Sequence, residues 1–318
     1  MGIRYWLACT MGVAAAGMQS GEAVAWSNQG HMVTGAMAYD DLAKADPALI
    51  ARIEAIMADH PDKARFERGL AGYSGEARTR RLFELMARWP DDAREGPYDH
   101  PGWHYWLRLI PSRTDPANIP PAMLTMTTGQ AVEAYRLNLA TVSDAYAPAA
   151  DRAVSLCWLF HLAGDIQQPL HAGHLISGRF PLTDRAGGNS FVRPAAGEDA
   201  TNLHAYWDNV VGGDNEDDAN VEAVRLRLGH AWPRSALGEL SGRADPEAFR
   251  AWADESFDLA RSVAYAGGTY EGATTPAAAM PVPPGYAASR RSTGERRVAL
   301  SGHRIADAIR AALSRQGL

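Results

Sequence analysis

The chain has 318 residues, 46% of them hydrophobic and 21% charged, and carries a formal net charge of −6 at pH 7. A chain of this length can bury a large apolar core, while the acidic balance excludes an ordinary nucleic-acid binder, whose affinity comes from Lys and Arg neutralising phosphates. It does not exclude a protein in which bound cations, not basic side chains, form the positive focus.

Residues 1–25 read as a secretory signal peptide, with an early positive charge at Arg4, an apolar run over 5–18 and the small-x-small ending Ala23-Val24-Ala25. The run is too short and too interrupted by glycine to span a bilayer comfortably, and no later segment reaches the roughly 18 apolar residues a membrane helix needs. The expectation is an exported protein, periplasmic or secreted, that begins at Trp26 and has no membrane partner and no obligate protein partner. Cys9 leaves with the leader and Cys157 lies in an apolar run, so residues 26–318 hold no internal disulfide. Metal ions can brace such a chain instead, because binding at a site absent from the unfolded state adds directly to folding free energy.

Beyond residue 25 the pattern is helical almost throughout. Apolar positions recur at a 3.6-residue period over 31–44, 47–60, 75–89, 128–146, 151–165, 201–211, 221–230, 246–264 and 290–315. Several of these spans start at Ser, Thr, Asp or Pro, as helix N-termini tend to. The stretch 177–201 and the Gly-, Pro- and Ala-rich stretch 266–288 read as long surface loops. The predicted fold is all-α, and candidate ligands spread from Trp26 to Asp208, so residues 26–318 read as one domain.

Chemistry starts in the span 151–165, DRAVSLCWLFHLAGD, which is apolar on nearly every face and therefore reads as a buried helix. His161 and Asp165 are four apart and stack on one face. A buried carboxylate is costly unless paired or bound to metal, so the pair needs a partner. His171 follows just past Pro169, and a second pair of the same spacing, His204 and Asp208, lies in NLHAYWD. With His104 upstream, this set of His and Asp without Cys suits zinc in open coordination better than a closed structural site. The Glu-x-x-His pairs of a di-iron carboxylate bundle are absent. His60, His100, His174, His230 and His303 read as surface or capping residues.

Six segments in order, WSNQGH at 26–31, WPDDAR at 89–94, WHYW at 103–106, HLAGDIQQPLH at 161–171, GGN at 187–189 and NLHAYWDN at 202–209, make the chain resemble the zinc-dependent single-strand nucleases of the S1/P1 type. The resemblance implies three zinc ions in an all-helical domain. Asp91, His104, His161 and Asp165 would hold the first. Asp165 would bridge to a second, also bound by His31 and by the amine and carbonyl of Trp26. His171, His204 and Asp208 would hold the third. Arg94 and Asn209 match residues that contact the reacting phosphate, and Tyr105 matches an aromatic that stacks on a base.

The implied activity is endonucleolytic hydrolysis of single-stranded DNA and RNA, and of 3′-nucleotides, through a hydroxide shared by two zinc ions, leaving 5′-phosphates. Single strands would be preferred because a base stacked in a duplex cannot reach an aromatic platform. The chain departs from the pattern at Gln167, where many relatives have a non-ligand histidine, in lacking the disulfides of fungal relatives, and at Leu107, where an aspartate contacts the base, so base preference is not carried over. Zinc-dependent phospholipases C share the scaffold, but their second His-x-x-x pair ends in Glu where this one ends in Asp208. An exported zinc-storage protein is the noncatalytic alternative, and it would have little use for Arg94.

Overall fold

The computed structural model describes residues 26–213 and 217–314; the expected leader, 1–25, and the last predicted helical residue, Arg315, lie outside the described residues. The protein is mainly helical. Helix α1 (Asn28–Ala45) is capped by the Ser27 side chain, which accepts from the Gly30 amide. It is followed by α2 (Pro47–Met57), which has proline at its first position, and by the short α3 (Lys63–Gly69). Helix α4 (Gly75–Asp92) carries Pro90 in its last turn, where the missing N–H withdraws one helical bond just before Asp91.

Next come α5 (Ala131–Ser143), the buried α6 (Ala149–Asp165), α7 (Leu203–Asp208) and α8 (Asp218–Ala231). Asn202 and Asp217 cap the last two through their side chains. Helix α9 (Pro246–Leu259) runs on into a wider π-helical turn at Ala260–Ala264, and α10 (Tyr286–Ser314) closes the chain. Helix α1 lies against α4 and α10, and α6 lies against α4, α5 and α10. These four, α1, α4, α6 and α10, therefore enclose the interior. Among the described residues no helix is long and apolar enough to cross a membrane.

The first and fourth helices meet backbone to backbone. A Cβ at Gly35 would stand 2.3 Å from the Phe83 carbonyl oxygen, so only glycine fits there. Buried arginines tie α10 to the turn after α6: Arg304 Nη1 donates to Gln167 Oε1 at 2.7 Å and to Glu255 Oε2 at 2.7 Å, and Arg297 Nε donates to the Gln167 carbonyl at 3.1 Å. Breaking such a buried network by removing one partner typically costs about 3–5 kcal/mol.

The predicted loops and boundaries need correction. Five short strands are present among the described residues: β1 (Leu107–Pro111), β2 (Thr127–Thr128), β3 (Gly173–Ile176), β4 (Phe191–Val192) and β5 (Thr201–Asn202). The first sheet has the order β2-β1-β3, with β1 and β3 parallel and Arg108 paired with Gly173. The span read as one helix over 128–146 starts only at Ala131, because Thr127–Thr128 pairs with β1 and Gly129 takes a φ of 95°. The predicted helix over 201–211 gives its first two residues to β5. The second predicted helix ends at Met57, short of His60.

The loop 177–201 is not all surface, since Phe180, Asp184, Ala186 and Val192 are buried and β4 pairs with β5. The loop 266–288 ends earlier, where α10 begins at Tyr286. His60 and His303, read as surface or capping residues, are buried: His60 Nδ1 accepts from the Asp62 amide at 3.0 Å and His303 Nδ1 pairs with Asp41 Oδ2 at 2.7 Å.

Candidate metal centre

The end of α6 sets the geometry. His161 donates from Nδ1 to the Ala87 carbonyl at 2.8 Å, a bond that fixes the ring and turns Nε2 inward. Nε2 then lies 3.0 Å from Asp165 Oδ2 and 3.0 Å from His104 Nδ1, which is itself 2.9 Å from Asp165 Oδ2. Asp91 Oδ1, at the end of α4, lies 3.7 Å from His161 Nε2 and 3.9 Å from His104 Nδ1.

On the other side, His31 from α1 brings Nε2 to 3.3 Å from Asp165 Oδ1 and 3.5 Å from Asp91 Oδ2. Asp165 thus turns one oxygen to His104 and His161 and the other to His31. Trp26 is buried beside this group, and its indole Nε1 donates to the Gly164 carbonyl at 3.0 Å, next to Asp165 in the chain.

A neighbouring group forms around His171. Parallel pairing of β1 and β3 continues back to a bond from the Trp106 amide to the His171 carbonyl at 2.9 Å, which draws the His104 and His171 segments together. His171 Nδ1 donates to the His104 carbonyl at 2.7 Å, leaving Nε2 3.2 Å from His204 Nε2. His204 Nε2 is 3.6 Å from Asp208 Oδ2 on the same helix, and Gln168 Nε2 donates to Asp208 Oδ1 at 2.7 Å.

The His204 ring is held from behind by a strained turn. Its Nδ1 donates to the Ala186 carbonyl at 2.8 Å, and Arg185, Ala186 and Gly187 have φ values of 51°, 57° and 87°. Two consecutive non-glycine residues in the left-handed region are sterically costly and need support. Buried Asp184 supplies it, because its Oδ2 accepts from the Gly187 amide at 2.7 Å and the Tyr265 hydroxyl at 2.6 Å. Asp184→Ala is therefore expected to weaken metal binding at His171, His204 and Asp208 by about ten- to 100-fold while leaving the other ligand groups loaded. Competition against a chromophoric chelator measures this; unaltered affinity would separate the turn from the site.

Burial and charge here demand a cation. His31, His104, His161, Asp165, His171, His204 and Asp208 are all at most 4% exposed. His31 Nε2, Asp91 Oδ2 and Asp165 Oδ1 face one another without a hydrogen-bond partner. Buried polar atoms are rarely left in that condition, and a metal ion bound among them satisfies all three. Burial, helped by His161, pushes His31 down to about 3; burial also outweighs Asp165 and holds His171 at about 3. Burial works against protonation of His161 too, but Asp165 and Asp91 outweigh it and raise the ring to about 9. Metal-free at neutral pH, His161 therefore carries a proton, which a cation displaces.

The other residues singled out from sequence are placed as follows. Arg94 Nη2 donates to Asp91 Oδ1 at 2.7 Å, so its guanidinium sits at the rim of the larger group. Asn209 is exposed at the C-cap of α7, directly after Asp208. The Tyr105 ring lies 4.7 Å from that of His171, tilted by 35°, which makes it part of the wall around the metal centre. Leu107 opens β1, half-buried. Asp184, Gln168 and the Ala87 and Ala186 carbonyls were not anticipated, and only the position of Gln168 within QQPLH gave any signal.

Three buried groups thus present themselves: His31, Asp91 and His161; His104, His161 and Asp165; and His171, His204 and Asp208, with His161 shared by the first two. The fold and these donors define a helical protein organised around a His/Asp metal centre. The S1/P1 nuclease family profile matches residues 26–314, and the chain belongs to that family. Comparison with curated proteins gave no match. The protein is accordingly a hydrolase that acts on nucleic acid.

Proposed function

We propose that the protein is an exported zinc-dependent endonuclease, with three zinc ions per chain and Trp26 as its first residue. It hydrolyses single-stranded DNA and RNA to 5′-phosphate ends and also acts on 3′-nucleotides. The observation that carries this reading is the convergence of unpartnered, buried His31, Asp91 and Asp165 atoms beside His104 and His161. A donor set of imidazole and carboxylate without thiolate favours zinc in open coordination.

Asp91, His104, His161 and Asp165 would hold one ion, Asp165, His31 and the Trp26 amine and carbonyl a second, and His171, His204 and Asp208 a third. Bound zinc supplies a Lewis acid that lowers the pKa of coordinated water toward 7. Ala87, Ala186 and the His104 carbonyl hold the imidazoles in the tautomer that turns a bare nitrogen toward the centre. Arg94 is anchored on Asp91 by one nitrogen, which leaves its other donors to bind a phosphoryl group. Asn209, exposed directly after Asp208, would donate its amide to a second oxygen.

A zinc count on the purified protein, with end-group analysis of products from single-stranded DNA and RNA and a parallel assay on phosphatidylcholine, tests the proposal. Fewer than three zinc ions, 3′-phosphate ends or lipid cleavage alone would overturn it. Arg94→Ala is expected to keep all three ions and to lose on the order of 100-fold in kcat, since a fixed donor aimed at developing charge acts mainly in the transition state. Activity that falls only in step with zinc content would make Arg94 a structural partner of Asp91.

A further inference from the structure

We propose that Arg290 binds a phosphodiester of the substrate strand adjacent to the one at the metal centre, with Tyr206 holding the guanidinium in place. This rests on the nuclease reading above. Arg290 lies in the first turns of α10, and its guanidinium carbon stands 3.9 Å from the centre of the Tyr206 ring. Tyr206 sits on α7 between His204 and Asp208. One turn further along α10, Gly294 packs on Val210: a Cβ there would lie 2.6 Å from Val210 Cγ2. Helix α10 therefore runs directly against the segment that carries Asp208 and exposed Asn209.

The state of this arginine separates it from the other arginines of α10 that are not exposed. Arg297 and Arg304 each reach Glu255 at 2.7 Å, and Arg296 reaches Glu239 at 2.6 Å. Arg290 is 9% exposed, yet among the described residues its guanidinium has neither a hydrogen bond nor an ion pair. Its Nε is closed off from water without a partner. Burial works against its charge, and Arg291 adds repulsion, while Tyr206, Tyr286 and Asp208 favour it. A half-desolvated cation without a counter-ion is costly, and an anion arriving at its free edge recovers that cost.

The donor geometry selects the ligand. A guanidinium offers donors only, in a planar fork matched to two phosphate oxygens, and the aromatic face beneath it fixes the plane of that fork. The reacting phosphate belongs to the metal ligands, Arg94 and Asn209. Arg290, beside the helix that carries His204 and Asp208, takes the next charge along the strand.

The test compares zinc-loaded wild type with Arg290→Met on a dinucleoside monophosphate, which has one phosphodiester, and on a single-stranded octanucleotide. The variant is expected to lose about tenfold in kcat/KM on the octanucleotide through KM, to be unchanged on the dinucleoside, and to show a salt dependence shallower by about 0.7, the value for one single-strand phosphate contact. Replacing single flanking phosphates of the octanucleotide by uncharged methylphosphonate should reproduce that loss at one position in wild type and add nothing in Arg290→Met. Equal losses on both substrates would assign Arg290 to support of the metal centre and overturn the proposal. Should Arg290→Met fold poorly, the methylphosphonate series on wild type decides alone, and equal rates at every flanking position overturn it. A wild-type protein that holds zinc and cleaves neither substrate overturns the nuclease reading and this inference with it.

Discussion

Asp165→Ala is expected to empty the larger ligand group and to lower kcat by about 10³-fold or more, which corresponds to about 4 kcal/mol of barrier. Asp165 Oδ2 lies 2.9 Å from His104 Nδ1 and 3.0 Å from His161 Nε2, while Oδ1 lies 3.3 Å from His31 Nε2. The variant removes the carboxylate that spans both halves and leaves buried imidazoles facing each other. Asp165→Asn keeps the shape and separates charge from packing; its amide can ligate weakly but cannot bridge two cations. Zinc content by mass spectrometry, read beside the rate on single-stranded DNA, checks this. Full zinc loading with a rate within tenfold of wild type would remove Asp165 from the centre.

The same carboxylate sets a pH dependence. The ring of His161, raised to about 9 against burial by Asp165 and Asp91, carries a proton in the metal-free protein. That proton stabilises the metal-free fold fully below the unfolded value of about 6.5 and is lost as pH rises toward 9. Metal uptake in the larger group has the opposite sign, because a cation bound by His161 must displace that proton, so loading there should strengthen with pH up to about 9.

On the proposed reading, in which Trp26 is the first residue and a zinc ligand, retaining even two residues ahead of it is expected to remove one zinc and to reduce activity by about 100-fold. An extension converts the Trp26 amine, a good zinc donor, into an amide nitrogen with no available lone pair, and the pKa-matched deprotonation that metal binding exploits disappears with it. The local structure leaves little freedom to compensate. Trp26 is buried, its indole is fixed to the Gly164 carbonyl at 3.0 Å, and the Ser27 amide is bonded to the Asp208 carbonyl at 3.3 Å. Purifying the protein with Gly-Ser retained ahead of Trp26 and counting zinc gives the answer; an unchanged count and rate would take the N-terminal ligand out of the centre.

Helical periodicity exposed the parts of the site that lie within one helix. His161 with Asp165 and His204 with Asp208 are four residues apart, and that spacing survives any error in where a helix ends. The pairing of His31 with Asp91 was not legible in this way. It depends on how α1 meets α4, a packing relation with no local signature, and only the ordered motifs WSNQGH and WPDDAR pointed to it. Backbone groups were invisible altogether, since the carbonyls of Ala87 and Ala186 that orient His161 and His204 could belong to any residue type. The strands escaped because two to five residues cannot establish a period of two, and Gly129, with its φ of 95°, ended a run that otherwise read as helix.

The backbone contact at Gly35 bears on how far apart the ligands of two helices stand. Gly35 follows His31 by one turn on α1, and the Phe83 carbonyl it touches belongs to α4, the helix that ends in Asp91. The missing side chain therefore acts as a calibre stop: it sets how near the two helices come, and so the width of the gap between His31 Nε2 and Asp91 Oδ2. One added methyl group would wedge that gap open without altering a single ligand. The spacing of two donors on separate helices is in this way written partly into a residue that is neither of them.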